Sequence, residues 1–235
     1  MKLAVLIRGF NFLEEDRCGY PMDARQNVES LVEKLIDPVR AASPEANIYL
    51  VTYDSPALAE VVKALEPCKL ILLDAEGSSQ VETYKEGLQH VFANDDCDAV
   101  IVTRFDLAFR KSFDEWNVTI DDETIYFPWK EYLACWRDYR RVGDAVHIVG
   151  RRVMPFFYSA MTMTQIAQRK DFHLLYYFLR TMWGKLKFIE EGYWDSNTLY
   201  ANPEYDNPLY RIFNRPKLTE YEGTNLLLHR EIKAE

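Results

Sequence analysis

Arg104 and Asp106 close the segment Asp98-Ala-Val-Ile-Val-Thr-Arg-Phe-Asp106. Side chains two apart on a strand share a face. A carboxylate at the carboxyl edge of a buried strand can hold Mg²⁺ or Mn²⁺, with a substrate pyrophosphate completing the shell. An arginine beside it can neutralise the same phosphates. Taken alone, Asp106 reads first as half of a strand-end salt bridge.

Two further groups carry chemistry. In Gly143-Asp144-Ala-Val-His147-Ile-Val-Gly150-Arg151-Arg152, Asp144 stands before a strand. It is suited to binding a donor sugar or activating an acceptor hydroxyl, or it is an ordinary strand-start aspartate. His147 alternates with apolar residues, as a satisfied buried histidine does. Arg151 and Arg152 are surface charges opening a helix, or ligands for an anion. In Phe188-Ile-Glu190-Glu191-Gly-Tyr-Trp194-Asp195-Ser-Asn197, carboxylates and aromatics interleave. Glu190, Glu191 and Asp195 are candidates to take a proton from an acceptor hydroxyl, with Trp194 as a sugar platform. The alternative is a helix starting after Gly192, with Asp195 in its first turn. His229, near the polar terminus, reads as incidental.

These residues need a frame. Leu3 to Ile7, Ile48 to Val51, Leu70 to Leu73 and Ala99 to Val102 are short continuous apolar runs, as strands buried on both faces are. Between them, Val28 to Val39, Leu58 to Leu65 and Val81 to Phe92 carry apolar residues at helical spacing. This alternation predicts an α/β fold with a mainly parallel sheet and helices on both faces. Ligands of such sheets bind beyond the carboxyl ends of the strands. Arg8, Thr52, Asp54, Asp74, Arg104 and Asp106 should gather there. The second half predicts strands over Thr124–Trp129 and Ala145–Val149, an aromatic, charged stretch over Lys130–Gly143, and helices over Val153–Gln168 and Phe172–Trp183. A short apolar run, Leu226 to Leu228, lies in the tail. With no linker, residues 1–235 read as one domain with an elaborated, helix-rich C-terminal half.

Composition narrows the classes. The chain has 235 residues, with 28 Lys+Arg against 37 Asp+Glu, a net charge of -9 that argues against a nucleic-acid binder. A local basic pocket for a phosphate-bearing small molecule is still compatible with it. Four dispersed cysteines, Cys18, Cys68, Cys97 and Cys135, form no C-x-x-C pair, so a zinc site is disfavoured and a reducing compartment expected. The apolar N-terminus is too short for a signal peptide or a membrane span, so a cytoplasmic protein with no integral membrane segment is expected. P-loop, G-x-G-x-x-G, G-x-S-x-G and H-E-x-x-H signatures are absent.

The first strand ending Arg8-Gly9, the second ending Thr52-Tyr53-Asp54-Ser55, and the fourth ending Thr103-Arg104-Phe105-Asp106-Leu-Ala-Phe109 together resemble GT-A glycosyltransferases. The resemblance is to small polysaccharide-building enzymes of bacteria and of large algal viruses of the chlorovirus type. It covers about the first 110 residues and extends loosely to about 215. In these enzymes a D-x-D motif ends the fourth core strand; here Arg104 replaces its first aspartate. The resemblance implies a nucleotide-sugar-binding half (1–110) and an acceptor-binding half (111–235). It implies that Asp106 binds Mn²⁺ or Mg²⁺, or the donor diphosphate. Arg8 and Gly9 would meet the nucleotide, and the missing Cβ of Gly9 would permit close approach. Tyr53 would stack on the base, Asp54 would accept an imide N–H, and Lys85 would reach the diphosphate unless it is a solvated helix residue. The implied activity moves a hexosyl or pentosyl unit from a nucleotide-diphosphate sugar, first of all a UDP-sugar, to a hydroxyl of a glycan. Inversion is preferred, with Asp144, Glu191 and Asp195 as catalytic candidates. Two rivals stand beside it: a nucleotidyltransferase making nucleotide sugars, and a non-catalytic glycan- or nucleotide-binding module.

Overall fold

The computed structural model describes residues 1–16, 19–76, 78–131, 133–167, 172–194 and 207–214. Strand β1 (Leu3–Arg8) shows why the sheet forms. Leu3, Val5 and Ile7 enter one core, Ala4 and Leu6 the other, so the strand is buried on both faces. A hairpin of β2 (Phe12–Leu13) and β3 (Met22–Asp23) follows. A continuous helix then runs through α1 (Val28–Leu31), a π-helical stretch (Val32–Ile36) and α2 (Asp37–Ala42). Pro38 has no N–H for the preceding turn, and the wide π turn lies immediately before it.

β4 (Asn47–Tyr53) leads to α3 (Leu58–Leu65), which stops at Glu66 in the left-handed conformation ahead of Pro67. After β5 (Lys69–Leu73) comes α4 (Gln80–Asn94), opened by a capping box between Ser79 and Glu82. β6 (Ala99–Arg104) turns through Phe105-Asp106 into β7 (Leu107–Phe109).

The second half adds β8 (Ile125–Phe127), β9 (Lys130–Glu131), α5 (Leu133–Tyr139) and β10 (His147–Gly150). It continues with α6 (Met154–Ile166), α7 (Leu175–Met182), β11 (Leu186–Phe188), β12 (Tyr193–Trp194) and β13 (Tyr210–Ile212). The seven-stranded sheet has the order β11-β8-β10-β6-β1-β4-β5. β5, β4, β1 and β6 are parallel; β10 runs antiparallel to both of its neighbours. Helices α1, α2 and α3 pack on one face and α4, α6 and α7 on the other. The α/β class and the mainly parallel sheet are those expected, and strands from both halves of the chain share the sheet.

Some details differ from expectation. The stretch 130–143 contains α5, with Trp136 buried, and residues 193–194 are a strand beside β9 rather than a helix start. β11 and β13 are three-residue strands, too short to carry a period; they exist through their partners β8 and β7. Asp195, His229, Cys18 and the run Leu226–Leu228 lie outside the described residues. Cys68 and Cys97 are free thiols. Among the described residues no helix is long and apolar enough to cross a membrane.

Candidate active site at the carboxyl edge of the sheet

A cleft of about 310 Å³ opens at the carboxyl ends of β1, β4 and β6. Six of the residues picked from the sequence line it: Arg8, Gly9, Tyr53, Arg104, Asp106 and Asp144. Arg8 ends β1 and has the same parity as Ala4 and Leu6, so it turns toward α4. It is 1% exposed. Its Nη1 reaches Thr83 Oγ1 only at 3.5 Å, and Nε and Nη2 find no hydrogen-bond acceptor among the described residues. The guanidinium lies 4.0 Å from the ring centre of Tyr84, a cation–π contact. Burial, reinforced by the charge of Arg104, lowers its pKa to about 10. It is therefore still charged near neutrality.

Arg104 ends β6 and is the register partner of Arg8. Its Nε donates to Asp106 Oδ1 at 2.8 Å, and its Nη2 donates to Asp106 Oδ2. Burial works against the Arg104 charge, but Asp106 and then Asp144 outweigh it and raise its pKa. The turn carrying Asp106 is pinned from outside. Buried Asn27 donates to Phe105 O at 2.9 Å and to Leu107 O at 2.8 Å, and Phe213 N–H donates to Asp106 O at 3.0 Å.

Asp144 lies in the loop before β10. It accepts from Gln80 Nε2 at 3.2 Å, and His173 Nε2 is 3.6 Å from its Oδ2. Burial would raise its pKa; His173, then Arg104 and Arg8, pull it well below the carboxylate range. The other ring nitrogen of His173 lies 3.3 Å from buried Glu131 and 2.8 Å from Val142 O. Burial opposes protonation of this ring, but Asp144 and Glu131 override it and lift its pKa to about 9. His173 is thus an imidazolium between two carboxylates.

At the cleft wall Phe10 stacks on Tyr53 with ring centres 4.4 Å apart, and Tyr53 OH hydrogen-bonds Ser78 Oγ at 2.8 Å. Gly9 adopts φ +101°, which glycine tolerates, and open space lies where a Cβ would stand.

Other sequence candidates lie elsewhere. Asp54 and Asp74 are exposed and do not line the cleft. Lys85 is on α4 but places its Nζ 5.3 Å from the ring of Tyr158. Glu191 is exposed and pairs with Lys130 at 3.0 Å; Glu190 pairs with Lys111. Trp194 packs against the core beside Trp129. Arg151 donates to the carbonyls of Asp95 and Phe92 at the end of α4, and Arg152 pairs with Glu123. His147 is only half satisfied: Nδ1 meets Tyr84 OH, while Nε2 has no partner among the described residues. Burial and Arg8 bring its pKa down to about 3, so the ring is neutral.

Sequence reasoning missed His173, Gln80 and Thr83. Gln80 and Thr83 do sit one turn apart at the start of a helix whose opening faces the sheet edge, which is a usable signal. For His173 there was none, because its partners come from distant segments.

The donor set does not suit the divalent metal that the resemblance implied. Both Asp106 oxygens are taken by the Arg104 fork, and Asp144 faces three cationic side chains. The third lining carboxylate, Asp16, accepts from Tyr20 N–H at 3.1 Å and from Asn214 Nδ2 at 3.4 Å. Among the described residues no three His, Cys, Asp or Glu side chains group as metal ligands.

No family profile matches the chain, and no curated protein does. Solved structures similar to it include the glycosyltransferase GlyE of Streptococcus pneumoniae TIGR4, at 11% identity and TM-score 0.44 over 80% of this chain and 45% of that one. The chain thus spans less than half the length of that protein. The galactosyltransferase LgtC, solved with donor and acceptor sugar analogues, is 12% identical with TM-score 0.46 over 92% and 84% of the two chains. A nucleotidyl transferase from Methanothermobacter thermautotroptrophicus is 12% identical with TM-score 0.48 over 78% and 84%.

Proposed function

We propose that the chain is a glycosyltransferase that moves a hexosyl or pentosyl unit from a nucleotide-diphosphate sugar, first of all a UDP-sugar, to a hydroxyl of a glycan. The observation that carries this reading is Arg8, a buried cation without a full set of acceptors, set beside Arg104 on the floor of the cleft. A charge held this way is a preorganised receptor for an anion. The stacked Tyr53 and Phe10 supply an aromatic wall suited to a nucleobase.

In the reaction the bond from the anomeric carbon to the diphosphate oxygen breaks. A bond to the acceptor oxygen forms, and the acceptor proton is lost. Negative charge grows on the leaving diphosphate, where both guanidiniums lie. Asp144 is too weakly basic for a general base, which works best with a pKa near the working pH. As a permanent acceptor it is suited to hydroxyls of the donor sugar. Inversion stays part of the proposal, with Asp195 as the remaining candidate for the base.

The test is a thermal-shift screen of UDP-, GDP-, dTDP- and CMP-linked sugars. A ligand that binds only the folded chain raises the midpoint. A rise with one nucleotide class, followed by glycan extension and anomeric assignment of the product by NMR, is expected. No rise with any donor overturns the reading in favour of a glycan-binding module.

A further inference from the structure

Charges of both signs, all the protein's own, surround the floor of the cleft. Arg8, Arg104 and His173 stand against Asp106 and Asp144. A carboxylate chelated by a guanidinium fork has its best lone pairs in use, and a divalent ion bound there would stand against the Arg104 charge. Meanwhile the arginines have donors to spare. A guanidinium carries five N–H groups. Arg104 spends its Nε–H and one Nη2–H on Asp106, which leaves three, both of Nη1 and the second of Nη2. Arg8 makes one long hydrogen bond, to Thr83. The fifteen-residue helix α4 begins at the same cleft, with Ser78, Ser79 and Gln80 in the lining, and its N-terminus adds to the positive field.

On the nucleotide-diphosphate reading above, we propose that Arg8 and Arg104 together clamp the donor diphosphate without a divalent cation, and that Asp106 is a positioning residue that aims Arg104 rather than a metal ligand. The clamp matches two guanidiniums to the two charged phosphates of a diphosphate diester. Asp106 gives Arg104 one orientation, so its free edge need not be ordered when the ligand arrives.

Titration calorimetry on the full chain tests this, using inorganic pyrophosphate, UDP, GDP and dTDP, each in EDTA and in Mn²⁺. In the wild type, pyrophosphate is expected to bind in EDTA within about threefold of its affinity in Mn²⁺. Arg8→Met is expected to weaken it at least tenfold in both buffers. Asp106→Asn is expected to weaken it less, and by the same factor in both. Binding by the wild type more than tenfold tighter in Mn²⁺ than in EDTA overturns the proposal in favour of a metal site. No pyrophosphate binding in EDTA also overturns it. Both outcomes can be read on the wild type, so they do not depend on a variant folding. Metal-free pyrophosphate binding without binding of any nucleoside diphosphate supports the clamp and instead overturns the nucleotide-sugar reading.

Discussion

Arg8 and Arg104 stand opposite each other on neighbouring parallel strands, two guanidiniums at the same end of the same sheet face. Only one of them is neutralised locally: Arg104 by Asp106. Holding Arg8 charged beside it costs the fold up to about 3 kcal/mol, the equivalent of its lowered pKa. Replacing a poorly partnered buried charge by an apolar side chain of similar volume is often neutral or stabilising. Arg8→Met is therefore expected to be at least as stable as the wild type in urea at pH 7 while it loses the nucleotide-sugar thermal shift. A loss of more than about 1 kcal/mol would mark Arg8 as a net stabiliser.

His173 gives the molecule an alkaline limit. Its folded pKa, about 9, lies above the ordinary 6.5, so its stabilising charge is fully present below about 6.5 and is lost as pH rises through 9. The shift is worth at most about 3 kcal/mol. Denaturation midpoints should fall between pH 6.5 and 9.5 in the wild type. The fall should be much smaller in His173→Gln, which keeps a donor toward Asp144 without the titration. Identical slopes in the two proteins would remove His173 from this role.

Asn27 reaches across from the start of α1 to hold the carbonyls on either side of Asp106. Asn27→Ala leaves two buried acceptors without their donor, at a cost of about 1–3 kcal/mol. It also frees the turn that aims Arg104. Pyrophosphate affinity should fall together with stability, whereas an equally destabilising Val61→Ala, in α3 and outside the cleft lining, should leave affinity unchanged.

Gly143 carries Asp144 into the cleft through a tight passage. A Cβ there would stand 2.6 Å from Pro128 Cγ and 3.1 Å from Trp129 Cε2. Gly143→Ala should cost about 1–3 kcal/mol by overpacking and displace Asp144, lowering turnover. Gly184, where a Cβ meets nothing within 4 Å, is the control: Gly184→Ala should leave both properties near wild type.

Lys85 separates the helix-face reading from the diphosphate reading. With its ammonium over Tyr158, Lys85→Ala should change donor affinity by less than about twofold. A tenfold loss in calorimetry would return Lys85 to the diphosphate.

The sequence by itself determined the frame. Continuous apolar runs alternating with helical spacing make the order of strands and helices legible, because hydrophobic burial on both sheet faces leaves a local pattern. It also put Arg8, Arg104 and Asp106 at one edge, because residues at the carboxyl ends of parallel strands share it. Asp54 and Asp74, expected there too, lie outside the cleft, and Asp144 enters it from the loop before an antiparallel strand. The short strands β11 and β13 left no such mark, since they are defined by long-range pairing. The state of each charge was decided only by the tertiary structure. Whether Asp106 meets Arg104, whether Asp144 sits among cations, and whether His173 enters the arrangement at all depend on burial and on neighbours distant in sequence. Electrostatic energies fall with distance in space and carry no period along the chain.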